Sequence, residues 1–180
     1  MIILGSNSKT RYDILTKHKI EFQQKGCDFD EDLIKTSSPK SFVLQATQGK
    51  LDSCIKKFGL DIPILVADTV VTAHGKILRK AKNRDDAKNI LLFQSGSKVS
   101  IITAMILKNR DFEIIDISST DYIFEKFENS DLENFLDSGE WQGKAGACMV
   151  EGFCKKYIKT VYGYESCAMG LTVEKLKLFL

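Results

Sequence analysis

Two histidines, no C-x-x-C pair and no long apolar run leave several kinds of chemistry without the residues they need. With only His18 and His74, a three-histidine zinc centre is excluded. His18 sits in the charged Lys17-His18-Lys19 segment and His74 in a turn, so both read as surface histidines and neither as the base of a Ser-His-Asp triad. The five cysteines, Cys27, Cys54, Cys148, Cys154 and Cys167, are odd in number. Without an export signal they read as reduced, mostly buried thiols. No apolar stretch approaches the roughly 20 residues of a membrane span. The opening Met1-Ile2-Ile3-Leu4-Gly5 is too short for a secretory signal. The expectation is a cytoplasmic protein without a membrane partner. A net charge of +2, with scattered lysines, argues against nucleic acid as a partner. No G-x-x-x-x-G-K-[ST] phosphate loop occurs. No repeat, linker or low-complexity segment interrupts the 180 residues, which read as one domain over 1–180.

What is present is organised around residues 65–81, LVADTVVTAHGKILRKA. Ile62, Ile64, Leu65 and Val66 run into Ala67-Asp68-Thr69-Val70-Val71, an apolar, β-branched run that suits a strand buried on both faces. A carboxylate in such a strand is costly to bury alone, so Asp68 requires a cation, a metal ion or several N–H donors. His74-Gly75 is a candidate type I′ turn, after which the chain returns to Arg79 and Lys80. Counting outward from that turn sets Thr69 opposite Lys80 and Val70 opposite Arg79. Strict alternation therefore gives Arg79 the face of Asp68, and Lys80 reaches it only if the strand ends or bulges there. A purely structural Asp–Arg pair is the competing reading.

Ahead of this hairpin, Ile2-Ile3-Leu4 reads as a strand and Gly5-Ser6-Asn7-Ser8 as a turn into a helix from about Lys9 to Lys17. The free N–H groups of that helix start, with Arg11 in its first turn, make a candidate anion site. Residues 21–27 read as a strand and the acidic cluster Asp28-Phe29-Asp30-Glu31-Asp32 as a solvated loop. Ser38-Pro39 opens the longest helix, with Leu51, Cys54, Ile55 and Phe58 on its apolar stripe. On residue chemistry alone Lys50, next to that stripe and after the mid-helix Gly49, reads as a snorkelling surface lysine. Beyond the hairpin, Asn83 caps a helix that Gly96 ends, and two strands follow over 99–107 and 112–124. Ser130-Asp131-Leu132-Glu133 has the form of a capping box for a helix stopping at Gly139. A glycine-rich segment, a strand over 157–162 and a closing helix over 172–180 complete an α/β chain with a mixed sheet.

These pieces, in this order, resemble the Maf-like nucleotide pyrophosphatases, also called septum-formation-inhibitor-like proteins. The family's S-x-S-P-R-R-x-x-L-L is met by Ser6, Ser8, Arg11, Ile14 and Leu15, with Lys9 and Thr10 replacing its proline and first arginine. Its D-E is Asp30-Glu31, its helix lysine Lys50, and its A-D-T-V-V run residues 67–71. Its D-G and L-x-K-P are met by His74-Gly75 and Leu78-Arg79-Lys80, with Ala81 in place of the proline. Ser95-Gly96, Thr103, Lys144-Ala145-Gly146 and Gly170-Leu171-Thr172 follow in register.

The resemblance implies an elongated mixed sheet flanked by helices, with a cleft between two lobes, similar to the inosine-triphosphatase fold. It implies hydrolysis of a nucleoside triphosphate to the monophosphate and pyrophosphate with Mg²⁺ or Mn²⁺. Carried over by position, Asp68 and Glu31 are the catalytic and metal-binding carboxylates, while Ser6, Arg11, Lys50 and Lys80 bind phosphate. A homodimer is compatible with the resemblance. For the base, the family branch associated with 7-methyl-GTP carries E-G where the dTTP and UTP branch carries Gln, and here the residues are Glu151-Gly152. Thr10 and Thr69 are further candidates for base discrimination, and Trp141 either stacks on a base or packs in the core. The alternative functions are a dTTP or UTP pyrophosphatase of the same family and a non-catalytic nucleotide-binding regulator of cell division.

Overall fold

The computed structural model describes residues 1–148 and 150–180. Seven strands form one mixed sheet: β1 (Ile2–Leu4), β2 (Phe22–Gln24), β3 (Ile64–Ala73), β4 (Lys76–Leu78), β5 (Lys98–Lys108), β6 (Glu113–Phe124) and β7 (Ile158–Tyr162). Their order is β2-β1-β3-β5-β6-β7, with β4 paired to β3. β1 is parallel to both β2 and β3, whereas β3–β4 and β6–β7 are antiparallel. The helices are α1 (Lys9–Lys17), α2 (Pro39–Phe58), α3 (Arg84–Gln94), α4 (Asn129–Ser138), α5 (Glu165–Ala168) and α6 (Val173–Leu176). The chain packs as two compact units, one of residues Met1–Thr69, Ile102–Ser119 and Tyr164–Leu180, the other of Val70–Ile101 and Thr120–Gly163.

In the first unit the pleat of the sheet sorts consecutive residues into two cores. Ile2 and Leu4 of β1, Leu65 and Ala67 of β3, and Met105 and Leu107 of β5 pack with Ile14 and Leu15 of α1 and with Val173 and Leu176 of α6. Ile3, Ile64, Val66 and Ile106 instead pack against Leu51 and Cys54 of α2. Ile64 to Ala67 are all at most 1% exposed, so β3 is buried on both faces as its apolar run requires. Gly5 permits this layering, since a Cβ there would meet the Cys54 Sγ and would lie 2.8 Å from Val66 Cγ1.

The second unit is built on aromatic packing. Phe127 touches Phe124, Phe153 and Tyr157, and Phe153 stacks on Phe135 of α4 with ring centroids 4.6 Å apart. The Tyr157 hydroxyl donates to Asp131 at 2.6 Å and accepts from the Glu128 N–H at 3.1 Å, which satisfies the polar tip of a buried ring.

Several expectations change. The second strand is only three residues, Phe22–Gln24, because from Cys27 onward the chain turns to meet α2. The four-residue capping box is absent: Glu128 occupies the N-cap position of α4, and Ser130 lies inside the helix. The closing helix is four residues of α6 followed by a 3₁₀ turn, Lys177–Phe179. Four of the five cysteines are disulfide-bonded, Cys27 to Cys54 and Cys148 to Cys154, and Cys167 is a buried thiol outside both disulfides. Spacing along the chain does not disclose the first pair, since the fold brings residues 27 apart to a Cα separation of 5.4 Å. No helix among the described residues is long and apolar enough to cross a membrane.

Candidate functional site

Parity along β3 decides where Asp68 and Thr69 project. Asp68 follows Ile64 and Val66 onto the face covered by α2, and Thr69 follows Leu65 and Ala67 onto the face covered by α1. Neighbours in sequence thus enter two different sets of contacts.

On the α2 face, Asp68 is 6% exposed and is bonded to the ammonium of Lys50. The same ammonium lies 3.0 Å from Glu31 Oε1, so Lys50 joins the two carboxylates. The loop is held in reach of α2 at two points. The Phe29 ring occupies the volume a side chain at Gly49 would fill, and the Cys27–Cys54 disulfide ties the strand exit to the helix one turn past Lys50. This corrects the sequence reading twice. Asp68 takes its cation from α2 and not from the hairpin, and Lys50 is no snorkelling surface lysine: its side chain is only 18% exposed. Burial raises the Asp68 carboxyl above the usual carboxylate range, with Glu31 adding to the rise; Lys50 foremost and Arg11 oppose it.

On the α1 face, Arg11 is held by three neutral oxygens. Its Nε donates to the Gly170 carbonyl at 2.8 Å, one terminal nitrogen to Ser6 Oγ at 3.1 Å and the other to Thr69 Oγ1 at 3.2 Å. Ser8 caps α1 by accepting from the Arg11 N–H at 3.3 Å, which sets the helix start. Burial works against the guanidinium charge, while Asp68 and Glu31 favour it. Thr69 is also 2.9 Å from the hydroxyl of fully buried Thr103, and Thr103 donates to the Cys167 carbonyl at 2.7 Å. The sequence marks Thr103 by its place in the family pattern and by its hydroxyl inside the apolar run of β5, without assigning it a role. Thr10 lies exposed on α1.

The remaining candidates belong to the second unit. His74 and Gly75 both have positive φ, 49° and 76°, as the hairpin turn demands, and the pairs Val71↔Leu78 to Ala73↔Lys76 match the expected register. Pairing stops at Leu78, so Arg79 and Lys80 leave β4; Lys80 is exposed and forms an antiparallel bridge with Ala145, and the Gly146 N–H donates to the Arg79 carbonyl. Glu151 is exposed and lines a cavity of about 460 Å³ with Phe135, Gln142, Lys144 and Phe153. Trp141 belongs to the core: it is 6% exposed, and its indole N–H donates to the Leu136 carbonyl at 3.0 Å.

The family model for Maf-like proteins matches residues 1–180. The chain belongs to the Maf-like family. Among curated relatives, a nucleoside triphosphate pyrophosphatase of a Nitratiruptor species is 54% identical, covering 98% of this chain and 96% of that one. The protein of the same name from Helicobacter pylori is 39% identical over 97% and 92% of the two chains. One from Campylobacter jejuni is 34% identical over the full length of both. A solved nucleoside-triphosphatase / dITP/XTP pyrophosphatase from Mycobacterium abscessus aligns with 99% of this chain and 92% of that one at 12% identity and a TM-score of 0.48, a likeness too remote to bear on activity.

Proposed function

We propose that this Maf-like chain, as one domain over residues 1–180, hydrolyses a nucleoside triphosphate to the monophosphate and pyrophosphate. The observation that carries the reading is the buried Asp68 joined through Lys50 to Glu31. A carboxylate with a raised pKa is suited to take a proton from water near neutral pH, and burial supplies that rise. Asp68 removes the proton as the water oxygen attacks the α-phosphorus, and the α–β bridging oxygen leaves with pyrophosphate. Arg11 and Ser6 meet the phosphate oxygens. Two of the three donors of Lys50 are engaged by carboxylates, which leaves a third for a phosphate oxygen; the family resemblance adds Lys80 as a further phosphate ligand.

Among the described residues no group of three or more His, Cys, Asp or Glu side chains gathers to hold a metal ion. Glu31 and Asp68 nevertheless fit Mg²⁺ or Mn²⁺, since such ions use one or two carboxylates and take further oxygens from water and substrate phosphates. Those two residues would hold the ion, which would neutralise phosphate charge.

For the base we infer a guanine-type substrate such as 7-methyl-GTP. The Glu151 carboxylate in its 460 Å³ cavity can accept from N1–H and the 2-amino group, and its charge suits a methylated, cationic ring.

Pyrophosphate release from 7-methyl-GTP, GTP, dTTP and UTP, with Mg²⁺ and then Mn²⁺, tests both parts. Release that disappears in Asp68→Asn, with 7-methyl-GTP ranked first and displaced by a pyrimidine nucleotide in Glu151→Gln, is the expected result. Nucleotide binding without release overturns the catalytic reading in favour of a regulator, and an unchanged ranking in Glu151→Gln overturns the base assignment alone.

A further inference from the structure

We propose that Thr103 is a positioning residue for phosphate capture, acting on Arg11 through Thr69. This role follows from proton direction and rests on the reading of Arg11 as a phosphate ligand. The Cys167 carbonyl can only accept, so Thr103 spends its single hydroxyl proton there, at 2.7 Å. Toward Thr69, 2.9 Å away, Thr103 can then act only as an acceptor, and the Thr69 hydroxyl must donate. With that proton committed, Thr69 Oγ1 presents lone-pair density to the Arg11 terminal N–H at 3.2 Å. The relay runs from Arg11 to Thr69, to Thr103, to the Cys167 carbonyl, and every hydroxyl in it points one way.

Ser6 shows the contrasting case. Its oxygen accepts from Arg11 at 3.1 Å and from the Ser8 N–H at 3.2 Å, and no acceptor among the described residues takes its proton. Ser6 therefore keeps a donor for a phosphate oxygen, whereas Thr69 has none to offer a base. The relay gives Thr69 a place in the support of Arg11, a different role from base discrimination. A half-buried guanidinium surrounded by neutral oxygens has no carboxylate among the described residues bonded to it, so its charge stays available to an incoming anion while its orientation is fixed by three directions of hydrogen bonding.

Isosteric Thr103→Val removes the acceptor, frees the Thr69 hydroxyl to turn its proton toward Arg11, and loosens one of the three ties. Thr103→Ser keeps the relay. The test is a double-mutant cycle on kcat/KM for pyrophosphate release from the best nucleotide of the panel, using Thr103→Val, Arg11→Met and their combination, with Thr103→Ser as rescue. NMR of the Arg11 guanidinium nitrogens in the nucleotide-free protein accompanies it. Expected are a loss of about tenfold in Thr103→Val, recovery in Thr103→Ser, no further loss when Thr103→Val is added to Arg11→Met, and faster guanidinium rotation in Thr103→Val only. Losses that multiply in the double variant, or an Arg11 signal unchanged by Thr103→Val, overturn the proposal. If Arg11→Met itself keeps wild-type kcat/KM, the phosphate reading of Arg11 falls and takes this inference with it. If Arg11→Met is impaired and Thr103→Val is not, only the inference falls.

Discussion

The two faces of β3 solve opposite electrostatic problems with different means. On the α2 face a buried acid, Asp68, is balanced by a charged partner, Lys50, which also reaches Glu31. On the α1 face a half-buried cation, Arg11, is held, among the described residues, by the neutral oxygens of Ser6, Thr69 and Gly170. Charge balance on the first face leaves Asp68 with desolvation still dominant and its carboxyl raised. Neutral support on the second leaves a cation oriented but uncompensated by direct contact. The proposed roles, a carboxylate that accepts a proton and a guanidinium that accepts an anion, rest on that difference.

The comparison breaks most completely at Lys50. Lys50→Met removes the cation between two carboxylates, and turnover should fall about a hundredfold or more. The surviving activity should also change its pH profile. In the proposed mechanism Asp68 acts as its carboxylate, so activity should be lost as pH falls through a value above the ordinary carboxylate range. Lys50 is the main influence lowering that value, and its removal should move the acid limb of kcat/KM to higher pH. An acid limb that stays in place in Lys50→Met would show that some other group governs it.

Asp68→Asn separates activity from stability. The folded carboxyl is raised above its unfolded value, so its favourable contribution is present below the unfolded pKa and is lost as pH rises through the folded one. At neutral pH the ionised Asp68 therefore opposes folding. Asp68→Asn should abolish turnover while holding or raising Tm at pH 7, and should flatten the dependence of Tm on pH. A clear drop in Tm at neutral pH would mean that the Lys50 pair outweighs desolvation.

The smallest effect is expected at Gly49. Its missing side chain admits the Phe29 ring, so Gly49→Ala pushes the loop that brings Glu31 to Lys50. A loss of about 1–3 kcal/mol in denaturant unfolding is expected, with a reduction in turnover smaller than in Lys50→Met. Glu31 acts on Arg11 through charge and not through a hydrogen bond, so the Arg11 guanidinium NMR signals should shift only slightly; a large change there would show that the loop also positions Arg11.

Local signals in the chain carried much of this architecture. The periodicity of α2 with Ser38-Pro39 at its start, the β-branched run of β3 and the His74-Gly75 turn with its register all follow from backbone preferences and side-chain pattern, which act between near neighbours. Asp68 could be singled out for the same reason, as a charge in a strand with no water on either side. Its partner could not. Alternation along the hairpin pointed to Arg79, because the chain by itself offers only neighbours in sequence as candidates. Strand pairing ended at Leu78, and the helix packed on the Asp68 face carried Lys50 at a separation of 18 residues. The disulfide between Cys27 and Cys54, the place of Phe29 against Gly49 and the relay from Arg11 to the Cys167 carbonyl, which joins residues as far apart as 11 and 167, were likewise decided by tertiary packing. Propensity and pattern are properties of short stretches and survive in the sequence; hydrogen-bond direction and charge pairing depend on which atoms the sheet and its helices bring within about 3 Å, and only the folded chain specifies those.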